Sequence, residues 1–157
     1  MDAKIGIKQK FLAKGAYELS KVLADEFVLY TKTRNAHWNV IGPDFHAAHI
    51  FFEDQYEALD EIMDDVAERM RALGHYAPAT LKEYLKLTSL SEQTREKNTS
   101  QGFIKQLLYD HETLVIQLRG YIQTFADEFE DTGTSDFVTS LMEKHEKMAW
   151  MLRSHLE

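Results

Sequence analysis

Apolar residues in this chain return every three or four positions over stretches of about 30 residues, and that spacing admits long amphipathic helices. Nothing alternates at period two, so no strand is expected. A first helix is predicted from about Ile7 to Asn39, with Leu12, Ala16, Leu19, Leu23, Phe27, Tyr30 and Arg34 on one stripe. Gly42-Pro43 ends it, and Asp44 is placed to cap the next. The second helix should run to about Leu73, with Phe45, Ala48, Phe52, Tyr56, Leu59, Met63, Val66, Met70 and Leu73 facing the core and Gly74 as its stop.

Residues 75–98 form a long connection in which Thr80-Leu81-Lys82-Glu83 matches a capping box opening a short helix. A third long helix is predicted from about Ser100 to Phe129. After a polar turn around Gly133, Thr134 or Ser135 should cap a fourth that reaches Leu156. The expected architecture is all-α, one domain over residues 1–157. It is a four-helix bundle with a short extra helix in the long crossover between helices two and three, and residues 1–7 as a short N-terminal tail.

Composition narrows the function classes. No apolar run approaches the roughly 20 residues that span a bilayer, so no membrane partner is expected. The opening MDAKIGIKQKFLAKG lacks the apolar core of a secretory signal, and there are no cysteines to form disulfides or thiolate metal sites. A cytoplasmic location fits both facts. The net charge of −8, from 26 acidic and 18 basic side chains, repels phosphate backbones and attracts cations.

The acids matter most on the second helix. At about 100° per residue, His49, Glu53, Asp64 and Glu68 share one sector beside the core stripe, with Glu57, Asp60 and Glu61 in or next to it. A row of acids is also what a solvated face looks like. His49 and Glu53, however, have the i,i+4 spacing that aims two ligands at one ion, and Asp64 and Glu68 repeat it. The two pairs lie fifteen residues apart, or roughly 22 Å along a helix, so they cannot ligate one ion within one copy. Either each is half of a separate site, or a second copy brings its Asp64/Glu68 end to the first copy's His37/His49/Glu53 end. An antiparallel contact about a two-fold axis would do the latter.

His37 continues the first helix's stripe, and so reads either as a ligand or as a hydrogen-bonded core histidine. Trp38 reads equally well as a large apolar plug. His111 and His145 sit on core stripes without a carboxylate partner that the sequence specifies. His46, His75 and His155 belong to exposed or loop positions. No Glu-x-x-His occurs anywhere, which argues against a di-iron site built inside one bundle.

Ala36-His37-Trp38-Asn39, Gly42-Pro43, Phe45, His49, Asp64-Asp65-Val66-Ala67-Glu68-Arg69 and Leu73-Gly74 together resemble the signature of the Dps family, the mini-ferritins of the ferritin-like superfamily. Asp131, Thr134, Asp136 and His145-Glu146-Lys147-Met148-Ala149-Trp150 extend the likeness over nearly the whole chain, although His75 stands where a second glycine is expected. The resemblance implies a hollow homo-oligomeric shell of twelve ferritin-like subunits. It implies ferroxidase centres at two-fold interfaces, with His37, His49 and Glu53 from one subunit and Asp64 and Glu68 from its neighbour. Some family members carry Asp at the position of Glu53, so here the acid is kept with a longer reach. Trp38 would stand near the iron as a shield against radicals. The implied reaction oxidises Fe(II), preferably with hydrogen peroxide, and lays down ferric mineral without an organic cofactor. Glu57 and Glu61 would nucleate mineral, and Asp127, Asp131 and Asp136 would line an iron pore. The family's DNA-binding members commonly use a lysine-rich tail. Here Lys4, Lys8, Lys10 and Lys14 are set against −8 per copy, so DNA binding is not expected. A DNA-binding, nucleoid-compacting structural protein is the alternative.

Overall fold

A computed structural model describes residues 3–92 and 97–157. Long helices α1 (Gln9–Asn39) and α2 (Phe45–Ala72) form one antiparallel hairpin. The crossover carries the short helix α3 (Leu81–Leu87). Then α4 (Ser100–Gln123), a π-helical turn (Thr124–Glu128) and α5 (Thr132–Ser154) form a second hairpin. The backbone amide of Ile41 donates to the Asn98 carbonyl at 2.9 Å, so α4 starts beside the α1–α2 turn. That contact returns the chain across the length of α2, the single long crossover expected of this class of bundle. No helix among the described residues is long and apolar enough to cross a membrane.

Helix ends follow local chemistry, with two departures from expectation. Gly74, at φ 86°, closes α2 as predicted, with the His75 amide bonded back to the Met70 carbonyl. Thr80 caps α3 by accepting from the Glu83 amide. Asp44, by contrast, makes no capping bond; the turn is closed by the Phe45 amide on the Gly42 carbonyl. The cap of α5 is Asp131, which accepts from the Thr134 amide at 2.9 Å; neither Thr134 nor Ser135 caps that helix.

The predicted third helix ends its regular α-turns at Gln123. The π-turn after it inserts one extra residue, so both Phe125 and Phe129 reach the core. Phe125 lies so close to α1 that a Cβ at Gly15 would meet its ring at 3.1 Å. At the other end of the chain, Ala3 and Ile7 pack on the core ahead of α1.

On α2 the buried stripe is Ala48, Phe51, Phe52, Gln55, Leu59, Ile62, Val66 and Met70. It is rotated by about one residue from the predicted face. Phe45 is exposed, and Tyr56 and Met63 sit half-buried at its edge. That rotation matters, because it puts Tyr56 beside the candidate site.

The bundle centre is not wholly apolar. Glu26 on α1, His145 on α5 and His111 on α4 are all buried and form one chain. His145 Nε2 donates to Glu26 Oε1 at 2.8 Å, and the Nδ1 atoms of the two histidines are hydrogen-bonded across 2.9 Å. Burial first, and the neighbouring His145 second, hold the His111 imidazole well below its ordinary protonation range. Lys32 and Asp110 form a second buried pair between α1 and α4. There burial raises the Asp110 carboxyl against the lowering effect of Lys32. The histidines are thus core residues, as their stripes suggested, and Glu26 is the partner the sequence did not specify.

Candidate metal centre

His37, in the last turn of α1, and His49, in the second turn of α2, meet across the hairpin with rings stacked 3.8 Å apart. His37 Nδ1 lies 2.9 Å from the His49 carbonyl, and His49 Nδ1 lies 2.8 Å from the His37 carbonyl. A carbonyl oxygen can only accept, so each Nδ1 carries the proton. In the neutral imidazole each Nε2 then keeps its lone pair. A hydrogen bond from the far ring nitrogen to a carbonyl is what fixes tautomer and ring direction in histidine metal ligands. His37 is thus both a hydrogen-bonded, buried histidine and a ligand-competent one, so the two sequence readings are compatible.

Glu53, one turn beyond His49, is half-buried and accepts from the Tyr56 hydroxyl at 3.2 Å. The Tyr56 ring stands edge-on to His37, with centroids 5.2 Å apart. Burial first, then the Glu53 carboxylate, raises the Tyr56 phenol above its usual range, so it acts as a donor at neutral pH. The guanidinium of Arg34 lies 4.3 Å over Tyr56 and 4.9 Å over Trp38. Trp38 is 64% exposed in a single copy and so does not plug that copy's core.

Asp64 and Glu68 are exposed at the far end of the same helix. Asp64 lines a cleft between α1, α2 and the start of the crossover, together with Asp60, Glu61, Met63 and Tyr84. Among the described residues, no three His, Asp or Glu side chains of one copy converge closely enough to hold a metal ion. The fold brings His37 and His49 together, with Glu53 one helical turn beyond His49, and leaves Asp64 and Glu68 as a separate pair.

Glu57 is exposed, as are Glu61, Asp127 and Asp136. Asp131 differs from the other two acids suggested for a pore. It is 5% exposed and committed to the α5 cap and to Arg69, whose Nη2 lies 3.4 Å from Oδ1. Here it secures a helix start. Sequence reading missed Arg34, Tyr56 and Arg69 as members of these clusters. The i,i+3 spacing of Glu53 and Tyr56 was the one signal that could have exposed a partner.

A four-helix bundle with a single long crossover is the architecture of the ferritin-like class. The comparisons agree. A family model for the ferritin-like domain matches residues 17–157. An uncharacterized low temperature-induced protein of Nostoc is 43% identical, over 88% of this chain and 78% of that protein. DNA protection during starvation protein 2 of Bacillus anthracis is 37% identical, over 88% of this chain and 93% of its own. The crystal structure of Dps from Vibrio cholerae, described as a member of a broad superfamily of ferritin-like diiron-carboxylate proteins, superposes with a TM-score of 0.92. It is 29% identical and covers 99% of this chain and 97% of that one. The chain belongs to the Dps family of the ferritin-like superfamily.

Proposed function

We propose that this protein is a ferroxidase mini-ferritin that binds Fe(II) as substrate between two copies, oxidises it with hydrogen peroxide, and stores the ferric product inside a closed shell of twelve subunits. The observation that carries the reading is the reciprocal lock on His37 and His49, which frees two imidazole Nε2 atoms for a metal, with the Glu53 carboxylate one helical turn beyond His49. Imidazole and carboxylate with open positions suit oxidative ferrous chemistry.

In the proposed assembly Asp64 and Glu68 of the two-fold-related copy complete the donor set. A roughly 22 Å separation along one helix makes a second copy necessary. Exposed large apolar side chains, Trp38, Leu81 and Leu85 among them, support burial against another copy. Two ferrous ions each give one electron to a peroxide molecule. Its O–O bond breaks and two hydroxides form, so the reaction consumes both reagents that would otherwise make hydroxyl radical. Such chemistry accounts for protection of DNA, the role in the Bacillus anthracis relative's name, without DNA contact. Asp127 and Asp136 are proposed to draw cations to a pore, and Glu57 and Glu61 to nucleate mineral.

Subunit mixing tests this. His37→Ala and Asp64→Ala homo-oligomers should each oxidise Fe(II) slowly. Co-assembled in equal amounts, they should regain about a quarter of wild-type sites, because only mixed pairs hold one intact site out of two. No recovery on mixing, with both variants properly assembled, would exclude a shared site.

A further inference from the structure

We infer that Tyr56 is a positioning residue for Glu53, holding one carboxylate oxygen so that the other is presented on the side of His37 and His49. This rests on the metal-centre reading above. Glu53 has one more side-chain torsion than an aspartate. A carboxylate at the end of a three-torsion arm on a half-open helix face would otherwise spread over several rotamers.

Tyr56 is three residues further along α2, on the same helix face, and its hydroxyl donates to Glu53 Oε1 at 3.2 Å. What makes that hydroxyl a fixed point is the packing of its ring. The Tyr56 ring stands edge-on to His37 at 5.2 Å and 79°, and edge-on to Tyr30 at 6.1 Å and 87°. The Arg34 guanidinium covers it at 4.3 Å. All three neighbours belong to α1, the helix that supplies His37. The ring therefore ties the direction of a carboxylate on α2 to the helix that carries the first imidazole. With Oε1 engaged by the Tyr56 hydroxyl, Oε2 remains for a cation.

Tyr56→Phe keeps the ring and removes only the hydroxyl. Co(II) serves as the probe, titrated into assembled protein and followed by its visible absorption, alongside Fe(II) oxidation kinetics. The variant should bind Co(II) about 10-fold more weakly, with a larger effect on half-saturating Fe(II) than on kcat and an unchanged Tm. In a Glu53→Ala background the same substitution should have no further effect, because there is no carboxylate left to orient. Two results overturn the inference: Co(II) affinity of Tyr56→Phe within 2-fold of wild type, or an equal loss with and without Glu53. Should Glu53→Ala itself leave both Co(II) binding and Fe(II) oxidation intact, the metal-centre reading falls, and with it this inference.

Discussion

His145 donates from Nε2 to Oε1 of Glu26 across 2.8 Å at the bundle centre, where both side chains are fully buried. This pair joins α5 to α1 over 119 residues of sequence and extends through His145 Nδ1 to His111 on α4. Three of the four long helices are thereby keyed together by polar groups whose geometry is directional, which apolar packing is not.

Its pH dependence follows from the depressed His111 imidazole. The folded chain refuses a proton that the unfolded chain accepts below about pH 6.5. Stability is therefore full above that pH and falls as the pH drops towards the folded value. Urea unfolding at a series of pH values from 8 down to about 5 should show this decline, and His111→Gln should flatten it. A wild-type slope equal to that of His111→Gln would place the acid sensitivity elsewhere.

Each site histidine is hydrogen-bonded to a backbone carbonyl that survives deletion of the other ring, so deleting one ring should not release the other. His37→Ala and His49→Ala should each stay folded and assembled while losing roughly 10- to 100-fold in Co(II) affinity or Fe(II) oxidation rate. Metal titration and circular dichroism on the same samples check both halves of the expectation. Loss of helicity in either variant would mean that ring stacking holds the hairpin.

Asp131 and its two neighbours should separate by phenotype. Asp131→Ala removes the α5 cap and a partner of Arg69, and should cost about 1–2 kcal/mol in chemical denaturation. Asp127→Ala and Asp136→Ala remove exposed carboxylates and should stay within about 0.5 kcal/mol of wild type. If the pore proposal holds, those two slow mineral growth at low Fe(II), read as ferric absorbance over time.

Asp25 should govern the crossover. Its buried carboxylate accepts from the Thr88 hydroxyl at 2.7 Å, the Ser89 amide at 2.6 Å and the Ser89 hydroxyl at 3.0 Å. Asp25→Ala strands these donors and should cost about 2–4 kcal/mol. Limited proteolysis should then cut between α3 and α4 faster than in wild type. An unchanged cleavage rate would show that packing alone holds the segment.

What the sequence determined by itself was the set of helices, because apolar period, glycine stops and the Thr80 box are local signals acting within one or two turns. It also determined that His49/Glu53 and Asp64/Glu68 are too far apart to share an ion in one copy, since helical rise is a constant. Tertiary structure decided the rest. A stripe only about one residue wide separates Gln55 from Tyr56, and the hairpin's packing angle selected which faced the core. The pairing of Glu26 with His145, of Arg69 with Asp131, and of each site histidine with the opposite carbonyl depends on how helices distant in sequence lie against one another. Periodicity tells which way a residue points along its own helix. It carries no information about which neighbour it will meet.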